Sequence, residues 1–243
     1  MQYSDGFRSA EEKERYIQST FSAIANHYDS MNQWMTFNLD SRWRKKTALF
    51  SAVPLGGKAL DVCCGTGELS HCLASQVGTT GEVIGLDFNE DMLAVAREKQ
   101  KKDQIHKNII FVQGNAMTLP FPDNTFHTAT IGFGLRNVPD FRHVLGEMMR
   151  VIQPGGTVVS LETGKPEAFL IKDMHKLYVK KMVPMLDKLS GGPRGPYAWL
   201  ARSAQSFLPQ EELAKEYKAL GLEKVKYYNL LGGAVAIHVG FKV

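Results

Sequence analysis

The fold follows from the segment Leu60-Asp61-Val62-Cys63-Cys64-Gly65-Thr66-Gly67, in which an apolar run ends in a loop with two glycines. The apolar run predicts a buried strand, and residues 68–76 predict a helix directly after the loop. Glycines let the backbone turn tightly and approach a ligand closely. Ligands of open parallel sheets bind past the carboxyl ends of the strands, so this loop marks a candidate binding site.

Strand patterns and helical patterns alternate on the C-terminal side of this segment. The further strands are predicted at residues 82–87, 108–112, 127–131 and 157–162, and Asn89 is predicted to cap the helix after the second. Such alternation implies right-handed crossovers and a doubly wound parallel sheet. Two final strands, near 223–230 and 234–241, are joined by Gly232-Gly233, which is too short for a parallel return and predicts an antiparallel hairpin.

Helical patterns flank this α/β core. Residues 12–50 read as helical, and Ile17, Phe21, Ile24 and Tyr28 share one helix face. Helical character returns from 167 to about 207. We therefore predict one domain, 1–243, with four parts: an N-terminal helical cap (1–53), a cofactor-binding core (54–165), a helical insert over the substrate site (166–208), and a final helix with the hairpin (209–243).

Composition excludes several classes of protein. With 243 residues, 44% hydrophobic and 22% charged, the chain suits one globular domain and not a disordered protein. No apolar run approaches the ~18 residues of a membrane span, and the polar N-terminus predicts a cytoplasmic protein. A net charge of +4 is too small to indicate nucleic-acid binding. Cys63, Cys64 and Cys72 match no zinc pattern, so we predict packing roles and no metal.

An acid follows the glycine loop at the spacing of a nucleoside site. Asp87 stands twenty residues past Gly67, where a carboxylate can accept both ribose hydroxyls. NAD and S-adenosylmethionine both carry such a ribose. Ser70 replaces the third glycine of a dinucleotide fingerprint, and Asp61 would repel a pyrophosphate but can hold an ammonium group. The terminal hairpin is also foreign to the dinucleotide fold, so we predict S-adenosylmethionine.

Longer motifs bring a resemblance to a known family. Residues 60–67 with Gly85-Leu86-Asp87 resemble motifs I and II of class I methyltransferases. Three further segments, 28–43, 133–138 and 150–162, resemble the ubiquinone/menaquinone biosynthesis C-methyltransferases, and the likeness runs from about Phe21 to Val243. It implies the class I, Rossmann-like fold with a seven-stranded, mostly parallel sheet that ends in an antiparallel hairpin.

The resemblance also implies the cofactor positions. In addition to Asp61, Gly65 and Gly67, the expected cofactor-binding residues are Thr66, Asp87, Asn115 and Ala116. Many class I enzymes have an acid where Asn115 stands, but the Asn-Ala pair of this family is matched. Some relatives have serine at the position of Gly132, which here cannot offer a side-chain hydrogen bond.

The implied reaction is methylation of a ring carbon of demethylmenaquinol to menaquinol, the last step of menaquinone biosynthesis. A free phenol has a pKa near 10, so a base or a cation that stabilises the phenolate is needed. Arg136 stays charged and is the leading candidate for the cation, with Asn137 helping. Tyr28, Asp29 and Asn32 are expected to close over the substrate, with Asp29 a further catalytic candidate. The alternatives are a salt bridge from Arg136 to the core and local capping by Tyr28 and Asp29.

Several partners and functions stay open from the sequence. Residues 169–189 combine apolar residues with lysines, which fits an ordinary amphipathic helix or a mouth for a polyprenyl tail beside anionic lipid. The expected partners are thus a prenylated naphthoquinol and, peripherally, the inner face of the membrane; a homodimer through the C-terminal helices is a further expectation. The alternatives are a benzoquinol precursor of ubiquinone or another small-molecule or lipid acceptor, a non-enzymatic S-adenosylmethionine sensor, and a dehydrogenase. Gly132-Phe133-Gly134-Leu135 stands where base methyltransferases usually carry an Asp/Asn-Pro-Pro-aromatic motif, which argues against nucleic acid.

Overall fold

Seven strands and eight α-helices make up the computed structural model within residues 7–103, 107–166 and 196–243, which are the residues that the structure describes. The strands are β1 Lys58–Val62, β2 Glu82–Asp87, β3 Ile109–Gln113, β4 Phe126–Gly132, β5 Ile152–Thr163, β6 Glu223–Leu230 and β7 Val235–Phe241. The helices are α1 Ala10–Ile24, α2 Tyr28–Thr36, α3 Leu39–Phe50, α4 Glu68–Val77, α5 Glu90–Asp103, α6 Phe141–Val151, α7 Pro196–Ser206 and α8 Gln210–Ala219.

The strands form one sheet in the order β3-β2-β1-β4-β5-β7-β6. β1 pairs in parallel with both β2 and β4, so the chain leaves β1 toward one edge and later returns to its other side. This reversal of strand order is the topological switch point, where open α/β sheets bind their ligands. The sheet order thus places the site at the carboxyl ends of β1 and its neighbours.

The middle of the sheet is buried on both faces. Side chains of β1, β4 and β5 are fully enclosed, among them Leu60, Val62, Ala129, Ile131 and Val158. Strands buried in this way read as continuous apolar runs rather than as alternating ones, which is why they were visible in the sequence. One face is covered by α6 and α8, and the other by α3, α4 and α5.

The antiparallel end of the sheet confirms the predicted hairpin. β7 runs antiparallel to β5 on one side and to β6 on the other. The connection is a short 3-10 turn, Leu231–Gly233, in which Gly232 (φ +62°) and Gly233 (φ +93°) are left-handed. Glycine adopts these angles without steric cost, so the turn is short enough to join neighbouring strands.

Two boundaries differ from the sequence prediction. The fifth strand is predicted at 157–162, but α6 ends at Val151 and β5 begins directly after it, at Ile152, with Pro154-Gly155-Gly156 inside the strand. Pairing with β4 slips there, from Phe126↔Ile152 to Thr128↔Thr157, because the extra residues form an irregularity at the start of the strand. The N-terminal helical region is divided into three α-helices. The 3-10 turn Ala25–His27 separates α1 from α2, and the left-handed residues Phe37 and Asn38 separate α2 from α3.

The predicted helical insert falls mostly outside the described residues. Its last part is α7, whose Trp199 is almost fully buried against α1. The amphipathic segment 169–189 lies outside the described residues. The division into cap, core, insert and hairpin stays a prediction.

Candidate active site

A cavity opens at the carboxyl ends of four adjacent strands. Its lining includes Cys63 and Gly65 from the loop after β1, Asp87 at the end of β2, Asn115 after β3, and Phe133 after β4. These residues come from four separate stretches of the chain and meet because parallel strands end at the same edge of the sheet. The cavity therefore lies where the topology places a ligand.

The glycine loop turns beneath this cavity. Gly65 (φ +55°) and Gly67 (φ +82°) are both left-handed, and Gly67 is the residue directly before α4. A Cβ atom on Gly67 would lie 2.7 Å from the ring of Phe111, so a side chain there is excluded by packing as well as by backbone angle. Gly65 lines the cavity and Gly67 shapes the turn behind it.

Asp87 has the environment of a ligand-binding carboxylate. Asp87 lines the cavity but is only 8% exposed. Its Oδ2 accepts a hydrogen bond from the Gly65 N–H at 2.8 Å, and its Oδ1 accepts one from the Asn89 N–H at 2.9 Å. Burial raises the pKa of Asp87, and the backbone donors oppose the rise. A carboxylate has about four acceptor positions, so Asp87 keeps capacity for a further donor from the cavity, such as a ribose hydroxyl.

Asp61 lies below the cavity rather than in its wall. Its Oδ2 accepts from Ser70 on α4 (2.6 Å) and its Oδ1 accepts from Thr130 on β4 (3.0 Å), and the residue is 1% exposed. Burial raises the pKa of Asp61 to about 7, against the effect of these two hydroxyls. The geometry thus shows Asp61 joining α4 and β4 behind the loop; contact with a cofactor ammonium stays a prediction.

Thr66 and Asp29 meet each other instead of the cavity. Thr66 Oγ1 donates to Asp29 Oδ1 at 2.6 Å, and Lys99 Nζ on α5 donates to Asp29 Oδ2 at 2.7 Å. Lys99 also contacts Glu68 at 2.6 Å. This network ties the N-terminal cap to the glycine loop, α4 and α5, so Asp29 is placed to hold the cap closed.

Asn115 and Ala116 follow β3, as expected, and line the cavity. Asn115 Oδ1 accepts from the Met117 backbone N–H at 2.9 Å, and its Nδ2 donates to Glu14 Oε1 of α1 at 3.2 Å. Ala116 is buried. The loop after β3 is therefore in direct contact with the cap.

The cap covers the cavity with one side of α1 and the start of α2. Ile17, Phe21 and Tyr28 line the cavity, and the rings of Phe21 and Tyr28 pack edge to face with centroids 5.8 Å apart. Substrate contact by Tyr28 stays a prediction. Asn32, one turn further on, is half-buried outside the lining, and its carbonyl accepts from Thr36.

Strained residues in the loops after β4 and β1 form the opposite wall. Phe133 (φ +58°) and Cys63 (φ +53°) are non-glycine residues in the left-handed region, and both line the cavity. Such conformations cost on the order of 1–3 kcal/mol and concentrate at functional sites. Burial raises the pKa of the Cys63 thiol well above its usual value, so the thiol stays protonated and inert.

Arg136 and Asn137 hold the loop after β4 in place. Arg136 Nη1 donates to both oxygens of Glu162 (3.0 and 2.9 Å) and to the Phe133 carbonyl (2.9 Å), while both side chains of the ion pair are buried. Asn137 Nδ2 donates to the same carbonyl at 3.2 Å. Asn137 lines the cavity and Arg136 lies behind it. The salt bridge considered as the alternative for Arg136 is therefore present.

Sequence reasoning assigned no site role to several residues. Glu14, Phe88, Met92 and Pro139 line the cavity, and Trp199 donates from Nε1 to Asn137 Oδ1 at 3.1 Å. Glu14 had a signal, since it shares a face of α1 with Ile17 and Phe21. Trp199 had none, because its contact spans 62 positions of the chain.

The model of the ubiE/COQ5 methyltransferase family matches residues 9–242. The chain belongs to this family. The relatives of this chain include two proteins named demethylmenaquinone methyltransferase. The one from Bacillus licheniformis is 46% identical to this chain and the one from Bacillus subtilis is 45% identical, each over 230 residues, which is 95% of this chain and 98% of the relative.

Solved structures agree on the fold of this methyltransferase. A SAM-dependent methyltransferase from Aquifex aeolicus superposes with a TM-score of 0.61 at 20% identity, covering 82% of this chain and 89% of that one. Phosphoethanolamine N-methyltransferase 2 of Haemonchus contortus, solved with S-adenosyl-L-methionine, gives 0.57 at 15% identity over 80% of this chain and 50% of that one. The predicted seven-stranded methyltransferase fold is confirmed.

Proposed function

We propose that this enzyme transfers a methyl group from S-adenosylmethionine to a ring carbon of demethylmenaquinol, which gives menaquinol in the last step of menaquinone biosynthesis. The observation that carries the proposal is Asp87, a buried carboxylate in the wall of a strand-end cavity that an aromatic cap covers. The names of relatives that are 44–46% identical over nearly the whole chain support the acceptor.

The residues of the cavity fit this cofactor. Asp87 keeps acceptor capacity beyond its backbone hydrogen bonds, which suits a ribose hydroxyl. When bound, S-adenosylmethionine supplies a methyl group on a sulfonium, and the carbon–sulfur bond electrons stay with the thioether that leaves. Gly65 brings bare backbone to the cavity beside β1, where the methyl-bearing end is expected.

The acceptor ring fits the part of the cavity between the cap and the β4 loop. Tyr28 and Phe133 offer aromatic surface there, and Asn137 offers an amide. An ortho carbon becomes nucleophilic when the phenol loses its proton, so polar groups near the ring oxygen favour the reaction. The ring carbon then forms the new bond and releases its own proton, with no change in oxidation state.

We propose divided roles for the predicted catalytic residues. Asn137 contacts the acceptor oxygen, whereas Arg136 acts mainly by holding the Phe133 loop through Glu162. Asp29 acts by holding the cap through Thr66 and Lys99. Direct phenolate stabilisation by Arg136 stays a prediction, as does substrate contact by Asn32.

The acceptor is tested by release of S-adenosylhomocysteine from the purified protein. Demethylmenaquinol, a benzoquinol precursor of ubiquinone, and phosphatidylethanolamine are compared under reducing conditions. The proposal expects turnover with demethylmenaquinol at least tenfold faster than with the other two. Faster turnover with the benzoquinol or the phospholipid would overturn the acceptor assignment, and cofactor binding without release would support the sensor.

We further propose that the enzyme works in the cytoplasm at the inner face of the membrane, where a prenylated acceptor resides. No helix within the described ranges has both the length and the apolar character needed to cross a bilayer. The surface that fits lipid is the α2–α3 corner, defined by Trp34, Phe37, Arg42, Lys45 and Lys46. Trp34 and Phe37 are 71% and 72% exposed, and the three basic residues are exposed along α3.

Exposed aromatic rings beside cations suit the interface of an anionic bilayer. Vesicle sedimentation tests this surface with phosphatidylglycerol and phosphatidylcholine vesicles. Binding is expected to require the anionic lipid, to weaken with salt, and to fall in Trp34→Ser/Phe37→Ser. Leu55→Ser, which alters an 80% exposed apolar residue on the turn before β1, is the control. Equal binding by the double variant would contradict this contact surface. The dimer through the C-terminal helices stays a prediction.

A further inference from the structure

A carboxylate interrupts the apolar face of α1 that covers the cavity. Glu14, Ile17 and Phe21 stand at spacings of three and four, so they share one face of the helix, and all three line the cavity. Glu14 is half-buried beside the cavity, so its carboxylate can keep its charge and accept a hydrogen bond from a donor in the cavity. Nothing in the reaction described above uses Glu14.

The partner of Glu14 in the structure is Asn115. The acceptor oxygen of the Asn115 amide is engaged within its own turn by the Met117 N–H, and the amide Nδ2 donates to Glu14 Oε1 at 3.2 Å. Asn115 stands where many class I methyltransferases have an acid. In this chain a carboxylate reaches the same place, but it comes from the cap.

The order of strands decides which part of the cofactor lies there. The cavity crosses the ends of β4, β1, β2 and β3 in that order, and three strand spacings of about 4.8 Å give ~14 Å, near the length of an extended nucleoside conjugate. Asp87 on β2 takes the ribose, and the reacting end points toward β1 and β4. The purine is thereby left beside Asn115 and the buried Ala116, after β3.

We infer that Glu14 accepts a hydrogen bond from the exocyclic amine of the adenine, so that the cap supplies the carboxylate that reads the base. This inference rests on the proposed function, since it takes S-adenosylmethionine as the cofactor. A 6-oxopurine presents an acceptor at the same position and is repelled by the carboxylate. Glu14 therefore joins recognition of adenine to closure of the cap.

Calorimetry with S-adenosylhomocysteine and its 6-oxo analogue, S-inosylhomocysteine, tests the inference without turnover. The unaltered protein is expected to bind the adenine ligand about tenfold more tightly than the 6-oxo ligand. Glu14→Ala is expected to lose about tenfold in affinity for the adenine ligand, whereas its affinity for the 6-oxo ligand is expected to stay the same or to rise, because the repelling carboxylate is gone. Glu14→Gln is expected to bind the 6-oxo ligand more tightly than the unaltered protein does, because its amide donates to the 6-oxygen.

Glu11→Gln is the control for Glu14→Gln, because it makes the same chemical change on the exposed side of α1. It is expected to change neither the affinity for the adenine ligand nor that for the 6-oxo ligand. If Glu14→Ala lost affinity equally for both ligands, the inference would be overturned, because the side chain would then only stabilise the cap and would not distinguish the bases. Unchanged affinities would overturn it as well. If the unaltered protein binds neither ligand, the cofactor of the proposed function is wrong and the inference falls with it.

Discussion

Thr66 donates a 2.6 Å hydrogen bond to Asp29, and this contact joins the glycine loop directly to the N-terminal cap. Lys99 completes the contact from α5, at 2.7 Å from the other oxygen of Asp29. The loop that shapes the floor of the cavity and the helices that cover it are therefore held by one carboxylate.

Asp29→Asn tests whether this carboxylate positions the cap or takes part in chemistry. The change removes the charge that Lys99 contacts, and the side chains are about one quarter exposed, so we expect a three- to tenfold weaker affinity for S-adenosylhomocysteine and a small loss of kcat. Lys99→Met is expected to have a similar effect, and the double variant should be no worse than either. Calorimetry and steady-state kinetics measure both quantities. A kcat reduced a hundredfold with unchanged affinity would instead make Asp29 catalytic.

Asp87→Asn is expected to weaken S-adenosylhomocysteine binding by tenfold or more, because hydrogen bonds to a charged acceptor contribute about 1.5–3 kcal/mol. The amide NH₂ of the variant can also face the Gly65 N–H, and two donors in contact repel each other and disturb the loop. Asp91→Asn makes the same change on the exposed side of α5 and is the matched control. Calorimetry measures the affinity of both variants for S-adenosylhomocysteine. If Asp87→Asn binds it as tightly as Asp91→Asn does, Asp87 is not part of the cofactor site.

The ion pair of Arg136 and Glu162 makes a prediction about stability. Arg136→Met leaves Glu162 buried without its cation, which is expected to cost about 3–5 kcal/mol in the free energy of unfolding. Arg142→Met breaks a more exposed pair with Glu216 and is expected to cost less than about 1 kcal/mol. Urea unfolding followed by circular dichroism measures both. An unchanged stability with lost methyl transfer would return Arg136 to the catalytic role expected from the sequence.

Asp61 predicts a dependence of stability on pH. Burial raises its pKa from 3.8 to about 7; Ser70, Thr130 and Arg44 oppose the rise, and Asp87 adds to it. Because the folded state binds this proton more tightly than the unfolded state, the contribution to stability is full below about pH 4 and is lost as the pH rises to about 7. Asp61→Asn removes this dependence while most of the packing is kept.

The measurement is the difference in unfolding free energy between Asp61→Asn and the unaltered protein at pH 5 and pH 8, in which the other titrating groups cancel. The variant should gain on the order of 1–4 kcal/mol relative to the unaltered protein between the two pH values. A difference that is independent of pH would show that Asp61 titrates near its ordinary pKa.

The sheet and half of the site could be predicted because they depend on local patterns. Central strands such as β1 are buried on both faces and appear as apolar runs, and Asp87 follows the glycine loop at a fixed spacing. The start of β5 was misplaced because Pro154 and two glycines, which usually break structure, are here absorbed by a slip in pairing. Local composition does not show whether a strand continues through such a run.

The remaining contacts join residues far apart in the chain. Glu14 and Asn115 are 101 positions apart, and Thr66 and Asp29 are 37 apart. Arg136 can contact either a substrate or Glu162, depending on where its side chain points after β4. The spacing of residues in the sequence does not show this direction. These relationships arise from how the cap rests on the sheet, and a structure is needed to find them.

The central claim is methyl transfer to carbon. The direct measurement incubates the protein with S-adenosylmethionine carrying a deuterated methyl group and demethylmenaquinol, and then locates the label in the extracted product by mass spectrometry and NMR. We predict the intact labelled methyl on the quinone ring carbon and a matching yield of S-adenosylhomocysteine. Label on a ring oxygen, or no labelled quinone from a protein that binds the cofactor, would contradict the account.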